Sequence, residues 1–134
     1  MKTVLIVDAD LRFAFWLGHS LDQAGYYALS AASVESAARL LTELGMKVDL
    51  VIIGVDQPGA ATFLADLRRT QKRLMVIALL DEPDPPPAAA LPADLAEYKS
   101  LSTDEEARRD WVGTVQIVLA AAASPRWRSS STPQ

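Results

Sequence analysis

Short apolar runs alternate with longer amphipathic stretches along most of this chain, and this alternation limits the fold more than any other feature. Residues 4–7 (VLIV), 50–53 (LVII) and 74–80 (LMVIALL) are continuous apolar runs, typical of strands that are buried on both faces. The stretches between them carry apolar residues at spacings of three and four, as helices with one buried face do. Strands alternating with helices predict a parallel sheet covered by helices on both faces.

Five strands and at least four helices are predicted in this way. The predicted strands are residues 4–7, 26–31, 49–55, 74–80 and 95–98, and the predicted helices are residues 11–24, 34–44, 60–70 and about 102–123. Short connections and right-handed crossovers then specify a three-layer, doubly wound α/β sandwich. Ligands of such folds bind at the carboxyl ends of the strands, so a functional site is expected there.

Polar residues and glycines mark the expected ends of the helices. Asp10 and Ser33 precede two amphipathic stretches and are predicted N-caps, and Gly45 follows the second stretch as a stop. Ser102 and Glu105 have the S-x-x-E spacing of a capping box, which predicts the start of the last helix.

Prolines interrupt the alternation after the fourth strand. Residues 81–92 (DEPDPPPAAALP) contain five prolines, and proline inside a helix removes a donor and clashes with the preceding turn. The helix between the fourth and fifth strands is therefore predicted to be shortened or missing. Residues 1–123 are predicted to form one domain, and residues 124–134 (SPRWRSSSTPQ) a disordered polar tail.

Composition excludes several classes of function. Seventeen acidic against thirteen basic residues give a net charge of −4, which disfavours binding to nucleic acid and to anionic membranes. No cysteine is present, so disulfides and thiolate chemistry are absent. No apolar run approaches membrane-spanning length, and Asp8 interrupts the first apolar run before it could serve as a signal peptide, so we expect a cytoplasmic protein.

Several segments together resemble the receiver domain of bacterial two-component response regulators. They are VLIVDAD at residues 4–10, Gly25-Tyr26, DLVIIGVDQPG at residues 49–59, and Lys99 after a short strand. The resemblance covers residues 2 to about 123 and is nearly without gaps up to residue 80. It implies a flavodoxin-like sheet with the strand order 2-1-3-4-5.

The same resemblance implies a phosphorylation pocket that has lost most of its chemistry. Receivers carry an acidic pair for Mg²⁺ after the first strand, and this chain has Asp8 followed by Ala9. The place of the phosphoryl-accepting aspartate holds Gly54, and the place of a phosphate-binding Ser or Thr holds Leu80. The supporting lysine remains as Lys99, which we expect to pair with Asp8.

These departures lead us to expect no catalytic residue, no metal and no cofactor. The expected function is that of a stand-alone pseudo-receiver, not an enzyme, that binds a signalling protein without phosphorylation; a homodimer is left open. The alternative is a phosphoryl-accepting receiver that uses Asp56 with Mg²⁺, with Asp10 as a further cation ligand. A flavodoxin-like ligand binder ranks last, because no glycine-rich phosphate loop follows any strand.

Two apolar side chains are candidates for partner contact. Phe15 falls on the polar side of the first helix, and Ile117 points away from the apolar stripe of the last helix. Both are predicted to be exposed. His19, the single histidine, is interpreted as a solvated side chain.

Overall fold

A computed structural model describes residues 1–81, 93–99 and 102–122 of the chain. The strands are β1 (Thr3–Val7), β2 (Tyr27–Ala31), β3 (Leu50–Gly54), β4 (Met75–Leu80) and β5 (Leu95–Tyr98). The helices are α1 (Leu11–Gln23), α2 (Val34–Leu44), α3 (Ala60–Thr70) and α4 (Glu105–Ala122). The predicted bounds of α2, α3 and β5 are confirmed to the residue, and the other predicted elements lie at the expected places.

All five strands are parallel and lie in the order β2-β1-β3-β4-β5. This is the predicted order, and the pairing brings the carboxyl ends of the strands to one edge. Val7 of β1 pairs with Ile53 of β3, and Gly54 of β3 pairs with Leu79 of β4. The doubly wound α/β fold is therefore confirmed.

The sheet is buried on both faces, which explains why its strands are continuous apolar runs. Side chains such as Ile6 and Ile52 pack with α1 and α4, where the rings of Phe13 and Trp111 meet edge to face with centroids 5.8 Å apart. The alternate residues of the same strands, Val51 among them, pack with α2 and α3. Two cores thus lie on either side of one sheet.

The first two helices begin at the predicted caps. The side chain of Asp10 accepts a hydrogen bond from the Phe13 N–H at 3.3 Å, and Ser33 accepts one from the Ser36 N–H at 3.1 Å. Gly45 ends α2 with a φ of 60°, a left-handed conformation that costs glycine little. These predictions are confirmed.

The capping box predicted for the last helix is wrong by two residues. The carboxylate of Asp104, not the hydroxyl of Ser102, accepts from the N–H in the first turn, that of Ala107 at 2.9 Å. Ser102 instead accepts from the Asp104 N–H at 3.2 Å, and Glu105 binds Arg108. Asp and Ser are equally good N-caps, so the S-x-x-E spacing alone could not distinguish them.

A fourth helix, α4, is present at the carboxyl end of the described chain. The shortened or missing helix was predicted in the crossover from β4 to β5, and residues 82–92 lie outside the described residues, as does the predicted tail at 124–134. Within the described part of the chain, no helix has the length and apolar character needed to cross a membrane.

The position of the α4 cap can be tested by alanine substitution. We predict that Asp104→Ala lowers the Tm by about 4 °C, the usual effect of losing an N-cap in a domain of this size. Ser102→Ala is the matched control and should lower the Tm clearly less, because the Ser102 hydroxyl accepts from the Asp104 N–H, which lies before the first turn of α4. Thermal unfolding followed by circular dichroism measures both, and a larger loss in Ser102→Ala would contradict this assignment.

Candidate functional site

Two aspartates, a glycine and a lysine meet at the carboxyl edge of the sheet. Asp8 follows β1 and Gly54 ends β3, while Asp81 follows β4 and Lys99 follows β5. Because the strands are parallel, their carboxyl ends open into one cleft. The cleft therefore lies where the sequence predicted a functional site.

The ammonium group of Lys99 is held between two carboxylates. Its Nζ lies 2.8 Å from Oδ2 of Asp8 and 3.1 Å from Oδ1 of Asp81. The side chain of Asp8 is 2% exposed and that of Asp81 is 58% exposed, so one partner is buried and the other reaches solvent. We call Asp8, Lys99 and Asp81 the Lys99 triad. The predicted pair of Lys99 with Asp8 is present.

Burial sets the electrostatics of this triad. The pKa of Asp8 is raised: burial is the largest cause, the hydrogen bond and charge of Lys99 act to lower it, and the charges of Asp10 and Asp56 act with burial. Burial acts to lower the pKa of Lys99, but the hydrogen bonds that its ammonium group donates to Asp8 and Asp81, together with their negative charges, outweigh burial, and the pKa is raised. Lys99 is thus charged at neutral pH and committed to these two carboxylates.

Gly54 leaves room that another carboxylate fills. A Cβ atom on Gly54 would lie 3.0 Å from Oδ1 of Asp56 and 3.2 Å from Oδ1 of Asp8. Both distances are shorter than an ordinary carbon–oxygen contact. The Asp56 side chain therefore lies over the end of β3, beside the place where a side chain at position 54 would begin.

Two of the other predicted pocket residues contribute little to the cleft. Ala9 is exposed and has no polar side chain. Leu80 is buried, but Gly54 pairs with Leu79, so Leu80 points to the opposite face of the sheet from Gly54. Its carbonyl accepts from the Lys99 N–H at 3.0 Å. The resemblance to receivers placed Leu80 in the pocket, at the position of their phosphate-binding Ser or Thr.

The residues of the cleft do not suit Mg²⁺, the ion that the resemblance to receivers implies. Mg²⁺ requires near-octahedral oxygen ligands, whereas the Asp8 carboxylate is bound to Lys99 and Asp10 caps α1. No group of three potential ligands with metal-binding geometry occurs among residues 1–81, 93–99 and 102–122. Asp10 and Asp56 are exposed loop carboxylates.

The predicted contact residues lie on the helices of one face of the sheet. Phe15 on α1 is 60% exposed and Ile117 on α4 is 71% exposed, so both are exposed as predicted. His19 is exposed on α1. Both apolar residues are outside the core in which Phe13 and Trp111 join these helices.

Sequence analysis missed two features of this edge. Asp81 had no predicted role, although its place directly after β4 puts it at the same edge as Lys99. The second feature that the sequence did not predict is an open groove of about 550 Å³ between β5 and α4. Aromatic and acidic side chains dominate its lining, namely Tyr98, Trp111, Glu97, Asp104, Glu106 and Asp110.

Comparison with known proteins gives matches by structure alone. No protein-family model matches the chain, and no curated protein matches it in sequence. Many solved structures do match its fold.

Response regulators are among the solved structures that match. A candidate response regulator from Chloroflexus aurantiacus is 27% identical, with a TM-score of 0.68 over 89% of this chain and 98% of its own. The chemotaxis response regulator CheY4 of Vibrio cholerae is 23% identical, with a TM-score of 0.68 over 88% of this chain and 98% of its own. NtrX from Brucella abortus, at 15% identity, has a TM-score of 0.74 over 98% of this chain but only 30% of NtrX. The chain therefore has the receiver fold.

Removal of Lys99 should expose the cost of the buried carboxylate. We predict that Lys99→Met lowers the free energy of unfolding at pH 7 by about 3 kcal/mol, because Asp8 then lies buried without its cation. Since burial already raises the pKa of Asp8, the folded variant takes up a proton at a higher pH than the unfolded chain. The loss should therefore shrink as the pH falls through that raised pKa.

The matched control removes both charges. Asp8→Asn combined with Lys99→Met should be within about 1 kcal/mol of the wild type, since no unpaired charge remains buried. Urea denaturation at pH 7 and at pH 5 measures all three proteins. If the Lys99→Met protein were as stable as the wild type at pH 7, the pair of Lys99 with Asp8 would not contribute to the stability of the fold.

Proposed function

We propose that this chain is a receiver-like signalling domain that acts by binding a protein partner, with no phosphoryl transfer and no enzymatic activity. The observation that carries the proposal is the Lys99 triad beside Gly54. A cleft that accepts a phosphoryl group needs a nucleophilic oxygen and a cation free to neutralise the transferred charge. Gly54 offers no side chain, and Lys99 is bound by Asp8 and Asp81.

The charge around the cleft supports the same proposal. The Lys99 ammonium group binds the carboxylates of Asp8 and Asp81, and the carboxylates of Asp10 and Asp56 lie close enough to Asp8 to raise its pKa. An incoming phosphoryl donor is an anion, and like charges at short range oppose its approach. Without Mg²⁺ to offset these carboxylates, the cleft has no means of stabilising a phosphoryl group.

Labelling with acetyl phosphate tests this function directly. We predict that incubation with acetyl phosphate and Mg²⁺ leaves the intact mass of the protein unchanged, because position 54 has no acceptor oxygen. A phosphorylatable receiver in the same reaction is the positive control. A phosphoryl adduct on the wild-type protein would refute phosphorylation-independent action.

One observation favours the alternative function, phosphoryl acceptance by Asp56. Its carboxylate lies over Gly54, close to the site where an acceptor side chain would begin, and it is exposed. Asp56→Asn identifies this case in the labelling experiment, because it would abolish an adduct formed on Asp56. Asp10→Asn is the matched control, as it removes a neighbouring exposed carboxylate.

The partner surface that we propose is centred on Phe15 and Ile117. Large apolar side chains this exposed are costly to leave in water and are common in protein interfaces. The partner is a signalling protein, or a second copy of this chain. The two helices that carry these residues are fixed to each other by Phe13 and Trp111, which gives the surface a rigid base.

Site-specific cross-linking tests this surface. A photo-reactive amino acid at position 15 or 117 should yield one discrete cross-linked protein in the native cell, or a cross-linked dimer of the chain. The control position is Glu43, which is exposed on α2, beyond the opposite face of the sheet. Equal cross-linking from all three positions would contradict the assignment.

A further inference from the structure

Lys99 joins the ends of β1, β4 and β5, of which β4 and β5 are neighbours in the sheet and β1 is two strands away from β4. Its side chain reaches Asp8, which follows β1, although β3 and β4 lie between β1 and β5. Its backbone N–H donates to the Leu80 carbonyl at the end of β4, and its ammonium group binds Asp81, the next residue. Lys99 therefore holds β4 through both its main chain and its side chain.

The two carboxylates of the triad differ in how easily they can leave the ammonium group. Asp8 is buried, so its separation from Lys99 would leave a charge without water. Asp81 is 58% exposed, and water can solvate it when it leaves. Asp8 is thus the permanent partner of Lys99, and Asp81 the exchangeable one.

We propose that Asp81 is a built-in latch, which occupies Lys99 and fixes the end of β4 against the end of β5 without any external anion. The latch adds a second carboxylate to Lys99, beside the buried carboxylate of Asp8. Lys99 and Tyr98 also line the groove between β5 and α4, so the latch holds one wall of that groove in a single position.

Hydrogen exchange at the two ends of β5 measures the latch. We predict that Asp81→Asn increases the exchange rate of the Lys99 amide about threefold to fivefold, the effect expected of a half-exposed ion pair. The Asp94 amide lies just before β5 and donates to the Val76 carbonyl of β4, and its exchange rate should not change. Asp81→Glu keeps the charge and should restore most of the protection.

The matched control is Asp56→Asn, which removes an exposed carboxylate at the same edge and changes the local charge by the same amount. Within the described part of the chain, the ion-pair partners of Lys99 are Asp8 and Asp81. Asp56→Asn should therefore leave exchange of the Lys99 amide unchanged. Unchanged exchange in Asp81→Asn, or an equal increase in Asp56→Asn, would overturn the latch. So would faster exchange at both ends of β5, because the effect would then be global. The result does not depend on the acetyl phosphate experiment, which tests the proposed function separately.

Discussion

One ammonium group, that of Lys99, connects the carboxyl ends of β1, β4 and β5, and the rest of the functional edge is arranged around it. The sheet itself is stabilised by burial of apolar side chains on both faces. A charge at the edge of such a core is tolerated only when it is neutralised. Asp8 provides this neutralisation from within, so the cleft is complete without a ligand.

The loss of a side chain at position 54 fits this arrangement. A Cβ there would approach the carboxylates of Asp8 and Asp56 at 3.2 and 3.0 Å. Glycine lets these groups come close to the strand end, where a receiver that accepts phosphoryl groups would need an acidic side chain. Gly54 thus offers no acceptor oxygen, as the proposed function requires, and it leaves space for the carboxylates of Asp8 and Asp56.

The sequence predicted the fold closely because its signals are local. Apolar runs such as LVII can only be buried strands in a chain of this size, and Ser33 and Gly45 mark the ends of α2 by their own conformational preferences. The alternation of these elements then determined the sheet. Exposure of Phe15 and Ile117 also followed from helical periodicity alone.

The features that the sequence did not reveal depend on contacts between distant residues. The resemblance to receivers assigned Leu80 to the cleft, whereas the strand register, which is set by pairing with β3 and β5, turns it to the other face. Asp104 replaced Ser102 as the cap of α4 because two good caps compete within three residues. Asp81 was missed because its partner lies across a proline-rich segment whose path the sequence does not specify.

Binding of beryllofluoride, which mimics a phosphoryl group on a carboxylate, tests most directly whether this cleft is closed to phosphoryl chemistry. Fluorine NMR of the full chain with Mg²⁺ and beryllofluoride distinguishes the free from the protein-bound species. We predict resonances of the free species only, since Gly54 offers no oxygen and Lys99 is already bound to Asp8 and Asp81. A bound resonance that disappears in Asp56→Asn would contradict this and identify Asp56 as an acceptor.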